Sequence, residues 1–270
     1  MSQHVLVLTA HPDDAEFWAA GTLARMIAQG VQVDILIATN GDTGSFELDS
    51  PTLAEVRCEE ALRAGRVLGV HKVLFLDHGN GKLERLPPGH LRGEFMRAIR
   101  ELRPDTVFTF DPFAPFENHH DHRATAFAGM EAANTAHFPL HYPEHLAEGL
   151  EPHQVTEKYF FAKNPMYANK AVDITKTLDV KIAALLEHES QVAFLFEDWK
   201  RRAELAGVAL DEIVPGGVAG PDGPARFMAW FIREQARANG EAVGLAFAER
   251  FRTSRFPAII EGLLESRDEP

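Results

Sequence analysis

The first half of the chain alternates between two periods. Four short apolar runs, residues 5–9 (VLVLT), 31–39 (VQVDILIAT), 72–76 (KVLFL) and 106–110 (TVFTF), are separated by longer helical stretches at 15–29, 51–68 and 90–102. A fourth helix is expected at 122–136 (HRATAFAGMEAANTA). Gly30 closes the first helix, and the second has Pro51 at its start and Gly69 just past its end, the asymmetry that helix termini favour. Strands that read as nearly unbroken apolar runs, joined by helices of a dozen residues or more, predict an α/β fold: a Rossmann-like, doubly wound, mostly parallel sheet covered on both faces. Such sheets collect their ligands at the carboxyl ends of the strands. The loops that matter are therefore HPDD, NGDTGSF, DHGNGK and DPFAPFENHHDH, one after each run.

The second half is less regular. Short strands are expected at 158–161 and 171–174, and a helix at 175–190 (TKTLDVKIAALLEHES). Residues 207–226 are rich in Gly and Pro and read as a long loop or mobile flap, followed by a final helical stretch and the polar tail ESRDEP. Without repeats or low-complexity tracts, residues 1–270 read as one domain: a core over about 4–191 and an elaborated C-terminal part, a Gly/Pro-rich loop with a helical extension, over 192–270.

Composition narrows the partners. A formal charge of −13 disfavours nucleic acid and anionic membranes, which want a basic face. No apolar run approaches the roughly 18–20 residues of a membrane span. The first residues carry no basic segment or small-residue cleavage site, and the single cysteine, Cys58, fits a reducing cytoplasm. A small-molecule substrate is expected, and a homo-oligomer is compatible with all of this.

Two clusters carry chemistry. His11-Pro12-Asp13-Asp14 follows the first strand, and Asn118-His119-His120-Asp121-His122 follows the fourth. Asp13 and Asp14 taken alone read as a helix cap and first-turn acid, and any one histidine of NHHDH as a solvated loop residue. Both clusters, however, fall on the same functional rim. Two imidazoles and one carboxylate converging there would present three N/O ligands with open positions, the pattern of a catalytic zinc. Asp13, beside Asp14, is then placed to take a proton from water. His119 could protonate a leaving amine or stabilise an oxyanion, and Asp121 could fix the tautomer of a histidine.

These residues resemble the PIG-L/LmbE-like zinc-dependent de-N-acetylases. The motif A-H-P-D-D-x-E stands here as Ala10 to Glu16, followed by Gly21-Thr22-Leu23, and H-x-D-H stands as His119 to His122. The resemblance implies one zinc per chain on His11, Asp14 and His122. It implies Asp13 as general base and His119 as oxyanion or leaving-group assistant tuned by Asp121. It also implies Arg57 as a substrate-binding residue. Where many members carry Asp-Gly after the third strand, this chain has Asn80-Gly81, a neutral amide still able to bond a sugar hydroxyl. The resemblance runs weakly on through residues 172–191. The implied activity is removal of acetate from an N-acetylglucosamine-type sugar amide. Three alternatives stay open: an amidase of a small thiol-sugar conjugate, a non-haem Fe(II) enzyme on the same His/Asp/His set, and a nucleotide-binding α/β module. The last lacks a Gly-rich turn after the first strand.

Other residues are assigned ordinary roles. His137, His141 and His145 are spaced by four but interrupted by Pro139 and Pro143, which predicts a solvated irregular segment. Asp42 reads as turn chemistry, His188 as a helix-surface or packing residue, and Cys58 as buried packing. Phe113, Phe116, Trp199, Trp230 and Phe231 are assigned to packing ahead of a sugar site.

Overall fold

The computed structural model describes residues 3–255 and residue 260. The N-terminal half runs β1 (His4–Thr9), α1 (Asp14–Trp18), α2 (Ala20–Ala28), β2 (Gln32–Thr39), α3 (Ser50–Leu68), β3 (Lys72–His78), α4 (His90–Leu102), β4 (Thr106–Phe110) and α5 (His120–Thr135). There follow α6 (Pro143–Ala147), β5 (Glu157–Phe161), β6 (Lys170–Asp173), α7 (Leu178–Leu186), α8 (Glu189–Leu205), α9 (Leu210–Ile213), α10 (Gly223–Glu241) and β7 (Ala248–Ser254). The tail ESRDEP lies outside the described residues.

The strands form one sheet in the order β3-β2-β1-β4-β5-β7-β6. β3 to β5 pair parallel, while β7 runs antiparallel to both its neighbours. The strand order reverses between β1 and β4, so their outgoing loops part there and leave a crevice. Those loops carry HPDD and NHHDH. Alternation across β1 explains its unbroken apolar run: Val5 and Val7 enter the core on one face, Leu6 and Leu8 the core on the other.

The expected helix over 15–29 is broken at Ala19. A buried ion pair stitches the break. Lys181 Nζ donates to Phe17 O at the end of α1 (2.7 Å) and to Glu249 Oε1 (2.6 Å). The Glu249 carboxylate in turn accepts the Gly21 and Thr22 N–H groups that open α2 (3.0 and 2.7 Å). Each charge satisfies helix-end groups that would otherwise be orphaned. The Gly21 position is also tight, because a Cβ there would lie 2.8 Å from Ile174 Cγ2. Gly21→Ala is expected to cost about 1–3 kcal/mol through overpacking, despite the better helix propensity of alanine, and urea unfolding measures it.

Three further expectations change. The segment 207–226 is no free flap: Leu210, Val214 and Val218 are buried against Phe196 and Phe227, and Val218 N–H donates to Asp211 (2.7 Å). The predicted helix 175–190 ends at Leu186, and α8 restarts at Glu189 with its first turn held by Glu60, which accepts Ser190 N–H and Oγ–H. His145 is not solvated but buried, its Nδ1 3.1 Å from Arg100 Nη1. Among the described residues, no helix is long and apolar enough to cross a membrane.

Candidate active site

The β1–α1 turn is built around Asp14. One of its oxygens, Oδ2, accepts the backbone N–H groups of Ala10 (3.0 Å) and His11 (2.7 Å). That fixes the carboxylate and aims Oδ1 at the crevice. From the other side, the start of α5 brings in His122. Its Nε2 lies 3.2 Å from His11 Nδ1 and 3.3 Å from Asp14 Oδ1, while His11 Nδ1 lies 3.4 Å from Asp14 Oδ2. Donors held at about 2.0–2.1 Å in a tetrahedral zinc site stand about 3.3–3.4 Å apart, so the two imidazole nitrogens and the Asp14 carboxylate already stand at the spacing such a site needs. His119 belongs to the same group: its donor falls within 4.8 Å of those of His11 and His122.

The outer nitrogens of both imidazoles meet acceptors. His11 Nε2 lies 3.1 Å from Asn80 Oδ1 and 3.3 Å from Asp121 Oδ2. His122 Nδ1 lies 3.2 Å from Glu117 Oε2. A proton held on each outer nitrogen leaves both lone pairs facing the gap beside a carboxylate, an arrangement that calls for a cation. The charges agree. Burial opposes a proton on His11, but Asp14 and Asp121 outweigh it and raise its pKa to about 9. Burial likewise opposes a charge on His122, and Asp14 and Glu117 overcome it. Asp14, which burial alone would push up, is held well below the usual carboxylate range by His122 and His11. The donor set thus fits a divalent metal.

Asp13 has a different setting. It sits at φ 111°, a left-handed conformation costing about 1–3 kcal/mol in a non-glycine residue. Arg57 holds it there. Its Nη2 donates to Asp13 Oδ2 (3.0 Å) and to Pro12 O, and its Nη1 donates to Gly41 O (3.1 Å). Hydrogen bonds to a charged donor are each worth about 1.5–3 kcal/mol, enough to offset the strain. Gly41, at φ +70°, must stay bare because a Cβ would meet Arg57 Nη1 at 2.4 Å. Burial raises Asp13 to about 6, with Arg57 opposing. His119 moves the other way: burial and the neighbouring His11 and His122 lower it to about 4, leaving a neutral ring at neutral pH.

Asp121, expected to tune His119, acts on that ring through its charge and makes its direct contact with His11. It is fully buried against His11, accepting also the Gly81 (2.6 Å) and Leu83 (3.2 Å) N–H groups. Asn80 also faces His11, and Asp42, beyond its turn role, accepts the Asn80 N–H (2.9 Å) and so orders that loop. Arg57, expected to bind substrate, spends both its Nη groups on Asp13 and two carbonyls.

Sequence reasoning missed Glu117. Burial would raise its pKa, but His122, the His119 N–H (2.9 Å) and Lys163 (3.0 Å) hold it at about 2. Its only sequence signal is an acid two residues before the histidine cluster. Glu117→Gln, which removes the charge behind His122, is expected to weaken zinc binding about 10-fold, read by competition with a chromophoric chelator.

Above the cluster lies a cavity of about 590 Å³. Phe17 and Trp18 line it from the N-terminal half, and Phe194, Trp199 and Phe231 from α8 and α10, together with Lys163, Gln191 and Gln235. Trp199 and Phe231 are thus cavity walls as well as packing residues. Trp230 packs beside Phe227, while Phe113 and Phe116 are exposed. His188 is fully buried, 3.4 Å from Glu16. Partial burial raises the Cys58 thiol, which fits a packing residue.

Comparison with known proteins points to one family. Residues 6–133 match the PIG-L family, GlcNAc-PI de-N-acetylase. A diacetylchitobiose deacetylase of Thermococcus kodakarensis is 35% identical over 190 residues, covering 69% of each chain. A probable N-acetyl-alpha-D-glucosaminyl L-malate deacetylase 2 of Bacillus anthracis is 29% identical over 75% of this chain and 87% of its own. Among solved structures, an N,N'-diacetylchitobiose deacetylase from Pyrococcus horikoshii superposes with a TM-score of 0.77 at 27% identity, covering 94% of this chain and 84% of its own. With its two motifs brought together at one strand switch point, the chain belongs to the PIG-L/LmbE-like de-N-acetylase family and is an amidohydrolase.

Proposed function

We propose that this enzyme removes the acetyl group from an N-acetylglucosamine-type sugar, that it depends on one divalent metal, zinc by the character of its donors, and that Asp13 is the general base. The observation that carries the reading is the convergence of His11 Nδ1, His122 Nε2 and the Asp14 carboxylate, with Asp13 beside them in the same cavity. A zinc ion held by His11, Asp14 and His122 would polarise the amide carbonyl and make a water acidic near neutral pH.

The chain's own residues divide the remaining work. Asp13 accepts the proton of the attacking water as its oxygen bonds to the acetamide carbon. His119, neutral at working pH, donates an N–H to the oxygen on which charge develops. It holds no spare proton for the leaving amine, so Asp13 returns the one it took as the C–N bond breaks, releasing acetate and a free amine. Arg57 keeps Asp13 aimed, and Asn80 turns its carbonyl to His11 while its –NH2 remains for a sugar hydroxyl. The aromatic walls suit the apolar faces of a pyranose, and the cavity lies within the about 300–1,000 Å³ usual for small ligands. We read residues 1–270 as a single catalytic domain with a small sugar amide as its partner, working in the cytoplasm.

The test is acetate release from N-acetylglucosamine, N,N'-diacetylchitobiose and N-acetylglucosaminyl glycosides by metal-stripped and zinc-reloaded protein. Turnover only after reloading, undiminished without oxygen, is the expected result and separates an amidohydrolase from an iron oxygenase. Zinc-loaded protein that releases no acetate from any of them overturns the proposal.

A further inference from the structure

Among the described residues, two groups of at least three His, Cys, Asp or Glu side chains bring their donor atoms within 4.8 Å of one another. The first is the cluster already described. The second is His78, His90 and Glu94, at the end of β3 and the start of α4. We propose that these three residues form a second binding site for a zinc-class divalent cation.

Local structure brings the donors together. His90 and Glu94 are one helical turn apart at the N-terminal end of α4, so their side chains share a face. His78 is brought to that face by an irregularity in β3. The β2–β3 register runs Ile37 to Phe75 and then Thr39 to His78, an extra residue on β3, and the extra stretch includes Asp77 at φ 59°. A bulge with a left-handed non-glycine residue is costly and serves to re-aim the side chain that follows. The result is one carboxylate between two imidazoles. Glu94 Oε2 lies 2.8 Å from His78 Nε2, and Oε1 lies 3.6 Å from His90 Nε2. The rings stand 6.0 Å apart at 71°.

A hydrogen-bonded His78–Glu94 pair uses one oxygen of the carboxylate, and His90 stands at the longer 3.6 Å from the other. A shared cation would take a donor from all three. Two imidazoles and a carboxylate are borderline donors that select zinc, cobalt, nickel or copper over calcium or magnesium, which prefer all-oxygen sites. His78 and Glu94 are partly buried and His90 is half-exposed, so three protein donors face an ion that solvent can reach and complete. The location gives the ion a consequence. His78 is two residues before Asn80, whose amide touches His11, and three before Gly81, whose N–H holds Asp121. A cation on His78 therefore pins the upstream end of the turn that supports His11, without being part of the catalytic site.

The experiment counts zinc. Full-length protein is stripped with a chelator, dialysed against a small excess of zinc chloride, and its bound zinc measured by elemental mass spectrometry. Wild type is expected to hold two ions per chain, His90→Ala one, His11→Ala one, and the double variant none. His90 is an exposed first-turn residue, so its replacement leaves the fold intact, which circular dichroism verifies. Glu94→Gln repeats the test at a second ligand. Zinc should also raise the unfolding temperature of His11→Ala but not that of the double variant. His11→Ala that holds no ion, or His90→Ala and Glu94→Gln that both keep two, overturns the second site. Failure of the catalytic site shows separately, as His90→Ala that holds none or His11→Ala that keeps two.

Discussion

Asp13→Asn is expected to lower kcat by about 10²–10⁴-fold, the usual contribution of a positioned general base, while zinc stays bound. Asparagine keeps the shape and can still accept from Arg57 Nη2, so the strained turn at φ 111° survives, but its amide takes no proton. The measurement is steady-state acetate release alongside zinc content; loss of metal in this variant would move Asp13 from base to ligand. The same group sets the acid limb. Burial holds Asp13 at about 6, above the ordinary Asp value, and the base must be ionised to act. Activity should therefore fall as pH drops through 6, or lower still once a neighbouring cation draws the pKa down. Arg57 opposes protonation of Asp13. Arg57→Gln should consequently shift the limb of kcat/KM to higher pH, a change that lost folding alone would not produce.

Removing the metal should be as severe. Chelation of wild type is expected to abolish deacetylation, with recovery on zinc addition, whereas His122→Ala and Asp14→Ala should stay inactive at the same zinc concentration. Each of the three donors is locked by a partner of its own: Asp14 by two backbone N–H groups, His11 by Asn80 and Asp121, and His122 by Glu117. Such preorganisation means that deleting one donor leaves two that cannot regroup. Protons compete for the same lone pairs. His11 is raised to about 9 in the metal-free cluster, so it binds a proton throughout the neutral range and must release it to the metal. Zinc affinity should therefore rise about tenfold per pH unit between about pH 6 and 8, measured by competition titration. An affinity flat across that range would mean that His11 gives up no proton to the metal.

Much of this was legible from the residues alone. Strands β1 and β4 are short apolar runs whose both faces are buried, and burial on both faces is what a run such as VLVL records. Helix α3 carries its end signals in its own sequence, Pro51 at its start and Gly69 just past its end. HPDD and NHHDH each place several chemical groups within five residues, so spacing sufficed to mark them, and parallel topology sufficed to put them on one rim. β7 was not legible. Its sequence AERFRTS carries three charged residues, yet Glu249 is buried because Lys181, distant in the chain, neutralises it.

The division follows the range of the interactions. The identity of the reacting groups and the parallel core rest on contacts within a few residues, where periodicity and spacing are direct records of geometry. What Asp13 and His11 can do depends on neighbours far along the chain: Arg57 for the one, Asn80 and Asp121 for the other. The cavity is likewise closed by Trp199 and Phe231 from helices whose sequence bears no mark of it. Pairings of that kind depend on which surfaces meet after folding, and a linear pattern holds no trace of them.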